Sequence, residues 1–383
     1  MSSTRREFLA ASVSTLALAA GCLGPDRALP ERPTGAWRHR AGNARNTGAS
    51  AVEVPPRGTP AWDEGEIHTA APLVDGGTVF TVSGEATALD ATDGSEEWAA
   101  ELDGEVDHAP ALTDDRLVVA TDEATVALDR TDGTEVWSTS LPRPARGPVT
   151  VDGDAGLATV PLGERGVQAL DLDSGARRWR DGTVGPNQAG IAAGTVYVTG
   201  YRDDGDTGVL RGLDAVGTRQ WAVDLDHPDA PPVVADAGLV VSDAGTIAVH
   251  DPDDGTRRRE LGDFGDRIDP PPAVADGTVY VPGDDGLAAV SLADGTVEWS
   301  IDAKVTVDTG VTVAREAVVA PVTDLPGVVA FERADGSRRW EHRIEGFDAA
   351  ASTPAVPADG AVFYASNESI GVVALGDLPP ETE

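Results

Sequence analysis

The sequence predicts an all-β fold, an eight-bladed β-propeller with four antiparallel strands per blade, on three observations. A unit of ten or eleven residues ending in tryptophan, such as "ALDATDGSEEW" at 88–98, recurs along the chain. Its endings, at 62, 98, 137, 179, 221, 259, 299 and 340, fall 36 to 42 residues apart. Periods near 40 residues built from four strand-like pieces are those of propeller blades. The third observation is an incomplete last copy: "TPAVPADGAVFYASNESIGVVALGD" (353–377) has three strands and no Gly-x-x-x-Trp, while "RGTPAW" (57–62) is such an ending with nothing before it. Supplying the last fourth strand from the N-terminal side closes the ring and removes the free edges an open array would expose.

Residues 1–21 read as an export signal. "TRREFLA" carries the paired Arg5 and Arg6 of a twin-arginine motif, and the apolar run to Ala20 is too short to span a bilayer. The run ends in "LAAGC", which resembles a lipobox with Cys22 as the lipidated residue, although Ala19 stands where leucine is common. Cys22 is the only cysteine, so no disulfide forms within the chain. Residues 22–36 are rich in proline and read as a flexible tether, followed by one domain over 37–377 and a short tail at 378–383. The expected location is the outer side of the cytoplasmic membrane, anchored by lipidated Cys22.

Within a unit, "APLV" (71–74) is a short apolar strand, Asp75-Gly76-Gly77 turns it, and "TVFTVS" (78–83) alternates as a half-buried strand does. "ATALD" (86–90) is the third strand, Asp93-Gly94 is expected to make a type I′ hairpin, and "SEEW" (95–98) is the fourth. The other copies are "ALDRTDGTEVW" (127–137), "ALDLDSGARRW" (169–179), "GLDAVGTRQW" (212–221), "AVSLADGTVEW" (289–299) and "AFERADGSRRW" (330–340). A worn copy, "AVHDPDDGTRRR" (248–259), puts Arg259 in the tryptophan position. Trp62, Trp98, Trp137, Trp179, Trp221, Trp299 and Trp340 are expected to pack into neighbouring blades, in preference to forming an aromatic ligand cage.

Acidic residues number 65 against 29 basic ones, for a formal charge of -36, and Lys304 is the only lysine. Such a surface repels nucleic acid and anionic lipid. Asp and Glu in place of nearly all Lys read as adaptation to molar salt, where screening removes self-repulsion. Circular dichroism is expected to show the fold lost on transfer to low salt without divalent ions; an intact fold there would count against this reading.

The "ALDxxDGxxxW" units resemble the pyrroloquinoline-quinone (PQQ) type propeller repeat, found in quinoprotein alcohol dehydrogenases and in BamB-like outer-membrane assembly lipoproteins. "WRHRAGNARNTG" (37–48) resembles the lead-in that such exported propellers carry. The resemblance implies the fold and either of two functions: a membrane-anchored binding or scaffold module for a protein or small ligand, or a PQQ-dependent oxidoreductase with calcium. The dehydrogenases share an adjacent Cys-Cys pair and a calcium-holding set of carboxylates and an amide. This body has no cysteine, and no residues match those ligands. A salt-adapted, archaeal-type organism would lack an outer membrane, so the resemblance carries fold and anchor across, and not barrel assembly.

No His spacing suggests a metal, and no phosphate loop or nucleophile elbow occurs. One constellation is left, in the segments that cross from each outer strand to the next inner one: Asp107, His108, Arg146, Gln188, Asp229, Asp269 and Asp308. By the repeat they surround one mouth of the central channel. They read as a rim for a cation or a basic partner segment, because converging carboxylates focus potential in a concave mouth. The competing reading is a solvated acidic surface and caps on nearby amides. Asn367-Glu368-Ser369 fits the glycosylation pattern.

Overall fold

The computed structural model describes residues 27–65, 70–202, 205–266, 268, 271–306, 309–323, 327–344, 351–366 and 371–379. Arg5, Arg6, Cys22, Asp269, Asp308 and Asn367 lie outside them. Eight antiparallel sheets follow one another around a ring, and the described residues contain almost no helix. Blade 1 comprises Leu73–Asp75, Thr78–Val82, Glu85–Asp90 and Glu96–Glu101, and each later blade repeats this inner-to-outer order. In blade 8, Thr59–Asp63 pairs with Val372–Gly376 as the outermost strand. The N-terminal side thus completes the last blade and closes the ring.

The middle strands of each blade are apolar on both faces because each blade is sandwiched between two others. Apolar clusters fill the junctions: Val118, Val149 and Leu170 between blades 2 and 3, for example, and Tyr280, Val318 and Phe331 between blades 6 and 7. The outermost strands face solvent on one side and alternate accordingly, as in Glu135–Ser140.

The tryptophans lock these junctions by one repeated contact. In each of the seven repeat tryptophans the indole lies over the turn before the outermost strand of the next blade and donates its Nε1–H to a carbonyl there. The acceptors are Ala91 for Trp62, Arg130 for Trp98, Leu172 for Trp137, Ala215 for Trp179, Pro252 for Trp221 and Arg333 for Trp299. Trp340 donates to Pro55 just ahead of the closing strand. At the worn copy, Arg259 replaces the indole donor, with Nη1 2.7 Å from the Leu292 carbonyl.

The turn under each indole is not the type I′ hairpin expected at Asp93-Gly94. Only Gly94 takes a positive φ, of 73°, and its N–H donates to the Asp90 carbonyl across a longer loop. Asp90 and Asp93 accept from the Thr92 and Ser95 amides, and these side-chain bonds hold the loop in a form that a two-residue turn would not allow. Type I′ geometry occurs instead between the first two strands, where Gly76 and Gly77 have φ of 63° and 85°.

The stretch expected as a tether is corrected in its second part. The Arg27 amide donates to Ala61, the Leu29 amide donates to Thr92, and Leu29 is buried in a cluster with Trp37 and Trp62. One apolar anchor amid prolines, which have no N–H to satisfy, is enough to lay the strap along the ring. Leu378 joins the same cluster, so the packed body also extends past residue 377.

Candidate functional site in the central channel

Each blade turns the inner edge of its first strand toward the axis, leaving backbone N–H groups that need acceptors. Residues 36–53 supply them. Ala36–Trp37 adds a strand beside Leu73–Asp75, and the chain then travels round the inside of the ring. Its carbonyls accept as follows: Arg38 from Leu112, Ala44 from Ile191, Arg45 from Val234, Thr47 from Val274, Gly48 from Val313, Val52 from Arg315 and Glu53 from Gly360. In blade 3 the contact is made by the buried His39 ring, whose Nε2 lies 3.1 Å from the Val151 amide nitrogen and 3.0 Å from the Val151 carbonyl oxygen. Asn46 is buried in the left-handed region at φ 58°, and its Nδ2 donates to the Ala189 and Pro232 carbonyls. The segment therefore contacts all eight blades and plugs the channel at the end where the inner strands finish.

The other end remains open as a blind cup of about 420 Å³. Its wall comes from the residues just before the inner strands of blades 1 to 6 and 8, so it sits on the axis of the ring. Asp107, His108, Arg146, Gln188 and Asp229 all line it, with a collar of prolines that includes Pro148, Pro186 and Pro231. Arg40 reaches the same cavity from the plug. Neither the plug nor Arg40 was legible as part of a site, since the lead-in has no strand alternation to place it. The only signal was a run of small and amide residues, "GNARNTG", suited to close approach.

The five wall residues differ in what they can still bind. The Asp229 side chain is fully shielded; its carboxylate accepts from the Gly245 and Ile268 amides and faces His227 Nδ1 at 3.2 Å. It acts as a backbone cap. Burial pushes the His108 pKa down, with the Arg146 and Arg40 guanidiniums acting in the same direction and Asp107 opposing them. The ring is therefore held neutral near neutrality. Gln188 is 3% exposed, and neither its Oε1 nor its Nε2 has a hydrogen-bond partner among the described residues. Buried amides without partners are uncommon, because leaving them so costs free energy.

A quinone held by calcium is a poor fit to this wall. Among the described residues no three His, Cys, Asp or Glu side chains converge as a metal site would require. Among the described wall residues, the deeply placed carboxylate of Asp229 is already committed.

A family model described as "Outer membrane protein assembly factor BamB" matches residues 36–189, 122–261 and 207–377. No curated protein sequence matches the chain. Among solved structures, BamB from Moraxella catarrhalis superimposes with a TM-score of 0.61 at 19% identity, over 80% of this chain and 94% of that one. Quinohemoprotein alcohol dehydrogenase from Comamonas testosteroni gives 0.67 at 16%, over 91% and 81%. The computationally designed Ika8 protein gives 0.68 at 14%, over 84% and 99%. Identities this low establish a shared fold, and a natural dehydrogenase and a designed ring share it equally well.

Proposed function

The chain belongs to the family described as outer membrane protein assembly factor BamB, and from that membership we propose that it is a non-catalytic binding propeller, receiving a small ligand or a projecting segment of a partner protein in its blind cup. One observation carries the reading: residues 36–53 seal one end of the channel and leave an open, polar-walled cup at the other. A cavity of this size with a few converging polar groups is of the kind that binds ligands.

The competing reading is a PQQ-dependent oxidoreductase, favoured by the likeness to the quinohemoprotein dehydrogenase fold. Titration with PQQ and calcium in molar KCl, followed by tryptophan fluorescence and the cofactor's absorbance, separates the two. No saturable uptake is expected. Saturation near one equivalent, with alcohol oxidation, would replace the binding reading.

The sequence of residues 4–22 further supports export by the twin-arginine route and a lipid anchor at Cys22 on the outer face of the membrane. The strap that begins at Arg27 would then hold the body within a few residues of the bilayer surface. Cys22→Ser is expected to move the protein from the membrane fraction to the medium. Retention in the membrane fraction would argue against lipidation.

A further inference from the structure

A strip of uncompensated positive charge lies on the outside of blade 3, apart from the cup. The outermost strand there, Arg177–Asp181, is bulged: Arg177 stands opposite Leu170 and Trp179 opposite Ala169, with Arg178 extra between them. On a regular strand, residues three apart point to opposite faces. The bulge puts Arg177 and Arg180 opposite Leu170 and Gln168, two residues apart on the neighbouring strand, so the two arginines share one face at a spacing of roughly 7 Å. In blades 5 and 7 the same two places hold an arginine and a glutamate that answer each other: Arg257 pairs with Glu260 at 3.2 Å, and Arg338 pairs with Glu341. Blade 3 has arginine at both.

Arg165, in the turn that leads into Val167–Asp171, carries the charge a step further. All three arginines are exposed, and among the described residues none of them has a carboxylate within ion-pair distance. The acids nearby are taken: Asp171 by Arg178, Asp181 by Arg211, while Glu164 lies 3.9 Å from Arg143. Arg180 donates to the neutral Gln168 Oε1 at 2.7 Å, which leaves its charge unanswered. Burial pushes the Arg180 pKa down, and the Arg177 and Arg165 guanidiniums act in the same direction by repulsion. Carboxylates brought from outside would relieve that repulsion. One small anion spans too little of the strip, whereas acids on every second residue of an extended chain stand about 7 Å apart and match its spacing. A long polyanion such as nucleic acid would meet the charge of -36 on the rest of the body.

We propose that this face of blade 3 binds an extended acidic segment of a partner protein, whose alternate carboxylates pair with Arg177 and Arg180 and then with Arg165.

Fluorescence anisotropy of labelled peptides titrated with the intact protein in molar KCl tests this. The screening length there is about 3 Å, so only charges in contact count. The peptides are Ala-Glu-Ala-Glu-Ala-Glu-Ala, its isomer Ala-Ala-Glu-Glu-Glu-Ala-Ala, and Ala-Gln-Ala-Gln-Ala-Gln-Ala, all with blocked ends. The alternating acid is expected to bind about fivefold more tightly than its isomer, the upper range for one exposed ion pair, and about twentyfold more tightly than the glutamine peptide. Arg180→Glu gives blade 3 the arrangement of blades 5 and 7. It should weaken binding of the alternating acid about twentyfold and abolish the preference over the isomer, with the urea midpoint unchanged or raised. Equal binding of the two isomers, no binding of either, or an unaffected Arg180→Glu protein would each overturn the assignment. So would displacement of the peptide by sulfate at the peptide's own concentration, which would mark a small-anion site, or a dimer that Arg180→Glu dissolves, which would give the face to a second copy of the chain. These outcomes leave the cup and the uptake of PQQ to their own test.

Discussion

Trp137→Ala is expected to destabilise the ring by roughly 3–5 kcal/mol, the range for removing a large buried aromatic side chain. The indole is 8% exposed and lies between blades 2 and 3 in one cluster with Val149, Ala158 and Leu170. It also donates to the Leu172 carbonyl at 2.9 Å, and it covers Gly175 so closely that a Cβ there would meet its Cε3 at 2.5 Å. Truncation therefore removes apolar burial, strands a backbone acceptor and opens a cavity over a glycine turn that cannot collapse into it. Trp137→Phe keeps most of the ring area and loses the donor, so its cost should be nearer 1 kcal/mol, the value of one hydrogen bond. Arg259→Ala, at the one junction where an exposed guanidinium replaces the indole, should cost little. Urea titrations in molar KCl give the three values, and an Arg259→Ala protein as unstable as Trp137→Ala would show that the donor matters more than the buried ring.

That contrast also explains how much could be read without coordinates. The repeat is legible because each blade needs the same residues for the same reasons: an apolar inner pair, a Gly-bearing turn and an indole to cover the next blade. Ring closure is legible because "RGTPAW" is a fourth strand lacking its first three. The turn type at Asp93-Gly94 is not, since an Asp-Gly pair suits both a two-residue hairpin and the end of a longer loop, and the choice is made by the Asp90 and Asp93 side chains. The plug is least legible of all. Its bonds go to eight different blades, one or two at a time, so neither the period of a strand nor that of a helix appears in residues 38–53. At the site, the repeat brings Gln188 and Asp229 to one wall, yet only the folded structure distinguishes a capped carboxylate from a buried amide with no hydrogen-bond partner among the described residues.

Stability should fall as the pH drops from 6.5 to 4. His39 in the plug and His342 in blade 7 are both buried, and desolvation lowers the pKa of each from 6.5 to about 4. His342 Nε2 lies 2.9 Å from the Tyr364 hydroxyl, and burial pushes the Tyr364 pKa up, so the hydroxyl keeps its proton. Protonating either ring puts a charge into a desolvated place, and at His39 the Val151 carbonyl, 3.0 Å from Nε2, offsets only part of that cost. As pH falls below 6.5 the unfolded chain takes up these protons first, and stability declines until the folded state follows near pH 4. At about 1.4 kcal/mol per unit, each histidine accounts for roughly 3 kcal/mol over that window. Asp171, held to about 2 chiefly by the Ser174 hydroxyl and Arg178, retains its charge throughout it. Glutamine keeps an acceptor at both places without a titrating ring, so His39→Gln with His342→Gln should flatten the dependence of stability on pH between 6.5 and 4. Urea midpoints at half-unit steps would show it, and an unchanged slope in the double variant would place the acid sensitivity elsewhere in the molecule. Should the slope belong mainly to His39, the plug is the first part of the ring that acid releases, and amide exchange at Ile191, Val234 and Val274 should quicken before the outer strands open.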